Sequence, residues 1–105
     1  MIDIFIETRH LKILTDIFDT YCPNAEVWAY GSRVNGGAHE GSDLDLAIHN
    51  PCIAVHKLRE IICESNIPFL VDMLEFDKLS ESFKEEIKRK YVVIYKAGVV
   101  LRHGS

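Results

Sequence analysis

The sequence predicts an α/β (α+β) fold in which helices flank a small mixed β-sheet. Two observations support this prediction. Short apolar runs of strand length alternate along the chain with longer segments whose apolar residues recur at three- and four-residue steps. Their order is helix, strand, strand, helix, strand, helix, which is typical of helices packed on one sheet. With 105 residues, the chain is expected to form a single domain over residues 1–105.

The boundaries of these elements follow from local signals. The first helix is predicted from Thr8, with Thr8 or Asp3 as its cap, and it ends before Pro23-Asn24. Strands are predicted at residues 26–30, 43–48 and 69–74, with a helix over residues 53–65 between the last two. The final helix is expected to begin with a capping box at residues 82–85, with Ser80 as the alternative cap. Residues 92–95 form either a fourth strand or the buried end of that helix, and residues 99–101 form an edge strand, a partner contact or a disordered end.

Composition limits the class of protein. The chain is 48% hydrophobic and 27% charged, as ordinary soluble proteins are, and no apolar run approaches the length of a transmembrane helix. The net charge of −4 argues against non-specific binding of nucleic acid, which requires a basic surface. Three widely spaced cysteines predict free thiols in a reducing compartment. We therefore expect a cytoplasmic protein that binds neither a membrane nor nucleic acid.

The functional prediction depends on residues 27–48. An apolar strand stops at Gly31-Ser32, a glycine-rich segment follows, and a second strand opens with Asp43-Leu44-Asp45. Because side chains alternate along a strand, Asp43 and Asp45 are expected on one face. Two adjacent carboxylates repel each other, so strand residues favour this pair only when a cation lies between them. The pattern predicts a site for a divalent metal ion.

Asp72 is the third acid of this prediction. It lies in an apolar strand, where an ionised carboxylate is costly unless it is paired. By itself it would indicate a structural aspartate, but together with Asp43 and Asp45 it indicates a site for Mg²⁺, which takes oxygen ligands. Two such ions can hold the attacking and leaving oxygens of a nucleotidyl transfer.

Gly31 and Ser32 predict an anion site beside the acids. A chain that leaves a strand at glycine and enters a helical turn presents backbone N–H groups to phosphate, and the Ser32 hydroxyl and Arg33 add to this site. A simple tight turn is the alternative. The segment is not a P-loop, because Gly37-Ala38 replaces the required Lys-Ser/Thr. His39 lies in the same loop, where it could contact substrate.

Together these residues resemble the DNA polymerase β-like nucleotidyltransferase superfamily, whose hallmark is a Gly-Ser turn, an Asp-x-Asp pair and a third acid on a later strand. The segments GSRVNG and SDLDLAI look most like the minimal nucleotidyltransferases (MNT), whose genes often adjoin those of HEPN-domain proteins. The similarity extends from about residue 11 to residue 95. One departure is Asn35, where many members have arginine, so triphosphate binding is either weaker or relies on Arg33 or on a lysine elsewhere.

The resemblance implies a polymerase β palm-like fold and transfer of a nucleoside monophosphate, AMP from ATP, to a hydroxyl group. The implied cofactor is Mg²⁺, as two ions, with Mn²⁺ as a substitute. The residues carried over by position are Asp43, Asp45 and Asp72 as catalytic metal ligands, with Asp72 also helping to deprotonate the acceptor, and Gly31, Ser32 and Arg33 as nucleotide-binding residues.

The resemblance also implies a partner, a HEPN-type toxin that this chain would adenylylate on a tyrosine while acting as antitoxin. Two alternatives stay open. The chain could keep the nucleotide pocket but neutralise its partner by contact alone, which the Asn35 departure favours and the three intact acids disfavour. It could instead adenylylate a small molecule such as an aminoglycoside, for which a homo-oligomer would have to build the acceptor pocket.

Overall fold

The computed structural model describes residues 4–36 and 41–96, and in these residues the chain forms four helices, four strands and one 3₁₀ turn. The helices are α1 (Thr8–Tyr21), α2 (Ser32–Asn35), α3 (Val55–Cys63) and α4 (Glu81–Arg89). The strands are β1 (Glu26–Tyr30), β2 (Leu44–His49), β3 (Val71–Glu75) and β4 (Val92–Lys96), and the 3₁₀ turn covers Phe76–Lys78. The predicted α/β class is confirmed.

The strands form one mixed sheet in the order β3-β2-β1-β4. Strand β1 is antiparallel to both β2 and β4, whereas β2 and β3 are parallel. A parallel pair requires a crossover connection, and α3 lies in the connection from β2 to β3. The small mixed sheet flanked by helices is therefore confirmed, and β4 settles residues 92–95 as a strand.

Each face of the sheet has its own apolar cluster. The larger cluster joins α1 and α3 to one face, and its central members are Leu14, Phe18, Val27, Ala29, Leu44, Leu46, Ile48, Leu58 and Ile62. On the opposite face, Ile87 of α4 packs with Ala47 and Phe76. Because side chains alternate along β1 and β2, one set faces α1 and α3 while the other faces α4. Within residues 4–36 and 41–96, no helix has both the length and the apolar character needed to cross a membrane.

Several predicted boundaries are wrong by a few residues. Helix α1 begins at Thr8 as expected, but Glu7 precedes it and makes no side-chain cap bond, so Thr8 is not the cap. Helix α3 is shorter than the predicted residues 53–65. Helix α4 begins after Ser80, whose Oγ accepts a hydrogen bond from the backbone N–H of Phe83, so the box at residues 82–85 is not formed. The candidate cap Asp3 and the apolar run at residues 99–101 lie outside the described residues.

Candidate active site

Three polar side chains lie in one row across the sheet, which we call the polar row. Tyr30, the last residue of β1, is in register with Asp45 of β2, and Asp45 is in register with Asp72 of β3. Residues in register on neighbouring strands point to the same face, so these side chains share a face. Ala47 lies two residues after Asp45 and packs with Ile87, so this is the face that α4 covers. The polar row lies at the end of the sheet where β2 and β3 begin.

Gly31 brings the loop after β1 against Asp45. Its backbone angles, φ 84° and ψ −158°, belong to a region that is essentially restricted to glycine. A Cβ atom at this position would overlap Oδ2 of Asp45. Ser32 follows as the exposed first residue of α2. The structure therefore brings the Gly-Ser turn and the second acid of the Asp-x-Asp pair into contact.

Burial and neighbouring charges raise the pKa of two groups in the polar row. The pKa of Asp45 is raised by desolvation first, then by the negative charges of Asp72 and Asp43. The pKa of Tyr30 is raised to about 12 by its burial and by Asp45 and Asp72. Both shifts show that further negative charge is unfavourable here, and a bound cation would relieve that cost.

Asp43 lies outside the regular strand. Strand β2 begins at Leu44, one residue later than predicted, and the Asp43 side chain is exposed. The Asp43 carboxylate still raises the pKa of Asp45 and opposes the lowering of the Arg33 pKa by burial. All three predicted acids therefore influence one end of the sheet, but only Asp45 and Asp72 are held there by strand pairing.

The donors at this end suit Mg²⁺ without being closed around an ion. In residues 4–36 and 41–96, no group of three or more histidine, cysteine, aspartate or glutamate side chains is arranged to hold a metal. Oδ1 of Asp72 instead lies 3.9 Å from Nη1 of Arg59 on α3. Asp45 and Asp72 nevertheless offer carboxylate oxygens from adjacent strands, which are spaced about 4.8 Å apart, and oxygen is the ligand type that Mg²⁺ prefers.

Arg33 is buried, with only 3% of its surface exposed. Its Nε donates a hydrogen bond to the carbonyl oxygen of Ser42 at 2.9 Å, and its Nη1 donates to that of Phe5 at 2.7 Å. The guanidinium also lies 4.0 Å from the centre of the Phe69 ring. These contacts connect the loop before β2 to the N-terminal segment. They do not favour the direct phosphate contact that the sequence predicts for Arg33.

Two residues at this end of the sheet are missing from the sequence-based site. Alternation along β1 signals that Tyr30 shares a face with Trp28, but it does not show which strand lies beside β1. Arg59 reaches Asp72 only because α3 packs beside the edge strand β3, and no local pattern announces that contact. His39, for which a substrate contact is predicted, lies outside the described residues.

Comparisons with known proteins identify relatives of this chain. A family model described as a nucleotidyltransferase domain matches residues 7–99, a span that includes the polar row and the Gly31-Ser32 turn. The chain is also 43% identical, over 93 residues, to a protein of Haemophilus influenzae that is named as a probable protein adenylyltransferase, MntA. That match covers 85% of this chain and 82% of the relative.

Proposed function

This chain belongs to the nucleotidyltransferase domain family and is a minimal nucleotidyltransferase, and we propose that it transfers AMP from ATP to a hydroxyl group of a partner protein. The observation that carries this proposal is the register of Asp45 with Asp72, with Gly31 packed against Asp45. Two carboxylates and the turn that would hold phosphate thus meet at one end of the sheet. The name of the relative adds that a protein is a suitable acceptor.

The proposed reaction exchanges a phosphoanhydride bond of ATP for a phosphoester bond to the acceptor. The acceptor oxygen attacks the α-phosphorus of ATP, the bond from that phosphorus to the oxygen bridging the β-phosphorus breaks, and pyrophosphate leaves with the bonding electrons. Asp72, about half exposed on the edge strand, accepts the proton of the acceptor hydroxyl. The backbone N–H groups at Gly31-Ser32 and the Ser32 hydroxyl bind the triphosphate.

Metal ions would be held by Asp43, Asp45 and Asp72. Bound Mg²⁺, or Mn²⁺ in its place, supplies positive charge that stabilises the phosphate oxygens during transfer. The chain itself contributes position: strand pairing fixes Asp45 and Asp72 relative to each other, and Gly31 fixes the turn relative to Asp45. Arg33 supports the loop before β2 through its bonds to Phe5 and Ser42, so its part in nucleotide binding is indirect.

The proposed acceptor is a tyrosine of a HEPN-type toxin, which makes this chain a cytoplasmic antitoxin. The resemblance of GSRVNG and SDLDLAI to the minimal nucleotidyltransferases supports this partner, because genes of that group often adjoin genes for HEPN-domain proteins. A tyrosine hydroxyl on a helical partner could approach Asp72 from outside, since β3 is an edge strand and this carboxylate is accessible.

A transfer assay tests the proposal directly. The protein is incubated with ATP labelled at the α-phosphate, Mg²⁺ and the product of the adjacent gene, and label on that product is measured with and without a chelator. Asp45→Asn is expected to lower the rate at least about 100-fold, because it removes a carboxylate that would hold the metal ion whose positive charge stabilises the transferred group. Asp16→Asn is the matched control, since Asp16 is exposed on α1 and pairs only with Lys12 among the salt bridges of the described residues.

The control should transfer at the wild-type rate, and chelation should stop transfer. Absence of transfer by the wild type, or equal transfer by Asp45→Asn, would refute the enzymatic proposal.

A second candidate function is neutralisation of the partner by contact alone. It is favoured by the engagement of Arg33 with backbone carbonyls. The two functions separate in cells that express the partner. A contact-only antitoxin still protects when Asp43 and Asp45 are both alanine, whereas an adenylylating one does not.

A further inference from the structure

Tyr30 lies in the candidate active site, and the proposed reaction assigns it no role. Its backbone is paired with Asp45, and Asp45 is paired with Asp72, so the phenol stands at one end of the polar row. Tyr30 also directly precedes the Gly31-Ser32 turn, for which we propose triphosphate binding. No other described side chain has both of these placements.

The ring of Tyr30 is held in place from the α4 side. It packs against the apolar cluster of Ala47, Phe76 and Ile87 and is half-buried. The ring of Phe83, from the first turns of α4, lies edge-on to it with centroids 6.0 Å apart. A strand backbone on one side and packed rings on the other restrict the phenol to a small range of orientations.

The hydroxyl of Tyr30 makes no hydrogen bond within residues 4–36 and 41–96, although two carboxylates influence it. A tyrosine hydroxyl ordinarily keeps its proton at neutral pH and can donate a hydrogen bond. It is therefore a neutral donor without a hydrogen-bond partner among the described residues. Unlike the cation of a lysine or arginine, it can offer a hydrogen bond without competing with a metal ion for Asp45.

We propose that Tyr30 is a substrate-positioning residue whose hydroxyl donates a hydrogen bond to a phosphate oxygen of the bound nucleoside triphosphate. This inference rests on the proposed nucleotidyl transfer. It assigns the phosphate chain, and not the base, because Tyr30 is paired with Asp45 and directly precedes the turn that would hold the phosphates. The bond would set the triphosphate against the carboxylates of the polar row.

Tyr30→Phe tests the inference because it keeps the ring and removes only the hydroxyl. Binding of a non-hydrolysable ATP analogue with Mg²⁺ is measured by calorimetry, and KM and kcat are measured in the transfer assay. We expect affinity for the analogue to fall about tenfold or more, as for loss of a hydrogen bond to a charged group, and the KM for ATP to rise. The melting temperature should change little, since the packed ring remains.

Tyr91→Phe is the matched control. Tyr91 stacks on Trp28 at 4.0 Å, so the variant removes a phenol hydroxyl from an aromatic contact on the same side of the sheet but outside the polar row. Its affinity for the analogue should stay within about twofold of wild type, well below the loss of a charged hydrogen bond.

The outcomes separate this inference from the proposed function. Wild-type affinity and KM in Tyr30→Phe overturn the role of Tyr30, and the proposed function survives if Asp45→Asn still abolishes transfer. A wild-type protein that does not bind the analogue overturns both. Attachment of AMP to Tyr30 itself, found by mass spectrometry without a partner, also overturns the positioning role, because the hydroxyl would then be an acceptor.

Discussion

Replacing Gly31 with alanine should separate protein stability from the position of Asp45, the carboxylate proposed to be catalytic. At φ 84° and ψ −158°, a residue with a Cβ atom costs on the order of 1–3 kcal/mol in backbone strain. The new Cβ would also overlap Oδ2 of Asp45. Because that atom ends a rotatable side chain, we expect Asp45 to rotate away at little cost in stability. Its carboxylate would then leave the place that the polar row defines.

Gly36→Ala is the matched comparison. Gly36 also has a positive φ, 98°, but a Cβ atom there would meet no atom of the described residues within 4 Å. Its cost is the strain of a left-handed residue, about 1–2 kcal/mol. Both variants should therefore melt at lower temperature, by about 4–8 °C for each kcal/mol lost in a domain of this size. Only Gly31→Ala carries the additional movement of Asp45.

The assay combines thermal denaturation with the AMP-transfer rate per folded molecule. Misplacement of a reacting group by about 1 Å costs on the order of 100-fold, so Gly31→Ala should lose about that factor in transfer while Gly36→Ala stays close to wild type. The reasoning is refuted if Gly31→Ala transfers at the wild-type rate when folded, or if both variants lose activity equally.

Two further predictions concern stability on the α4 side of the sheet. Nε2 of His49 is buried without a hydrogen-bond partner among the described residues, and burial lowers the pKa of this imidazole. Because the unfolded chain then binds more protons, the free energy of unfolding should have its full value above about pH 6.5 and should fall as the pH drops below that value. Urea denaturation at several pH values should show that the free energy of unfolding depends less on pH in His49→Phe than in the wild type. An equal pH dependence in the two proteins would contradict this prediction. Ser80→Ala removes the hydrogen bond from the Phe83 N–H and should lower the free energy of unfolding by about 1 kcal/mol, whereas Ser82→Ala should change it by less than about 0.5 kcal/mol. Thermal denaturation of the two variants checks this order. The reverse order would show that Ser82 is the cap.

The sequence predicts well those elements whose signals are local. Residues 27–30 form an apolar run, turn residues lie on both sides of the segment 26–30, and β1 has those limits. Boundaries fail where two neighbours compete for one role. Ser80 and Ser82 are both good caps, and which one serves depends on how the 3₁₀ turn delivers the chain to α4. The start of β2 is a further example, because Asp43 fits the alternating pattern of the strand but the pairing of β2 with β3 begins only at Leu44.

The site was predictable in its residue types but not in its geometry. Alternation places Asp45 opposite the core, yet its pairing with Tyr30 and Asp72 depends on β2 lying between β1 and β3. The residues of β2 alone do not show which strands lie on either side of it. The burial of Arg33 is equally non-local, because the ring and carbonyl that hold its guanidinium come from Phe69 and Phe5. A charged residue in a glycine-rich loop gives no sign of such partners.

Trp28 gives the molecule a built-in optical probe. It is the one tryptophan of the sequence, its ring stacks on Tyr91 with an interplanar angle of 16°, and its Nε1 donates a hydrogen bond to Glu26 at 2.7 Å. It belongs to the cluster under α4 and not to the larger one under α1 and α3. Its fluorescence emission therefore senses solvent entry on one side of the sheet only. An emission shift that precedes the loss of helical circular dichroism would show the α4 layer loosening before the other.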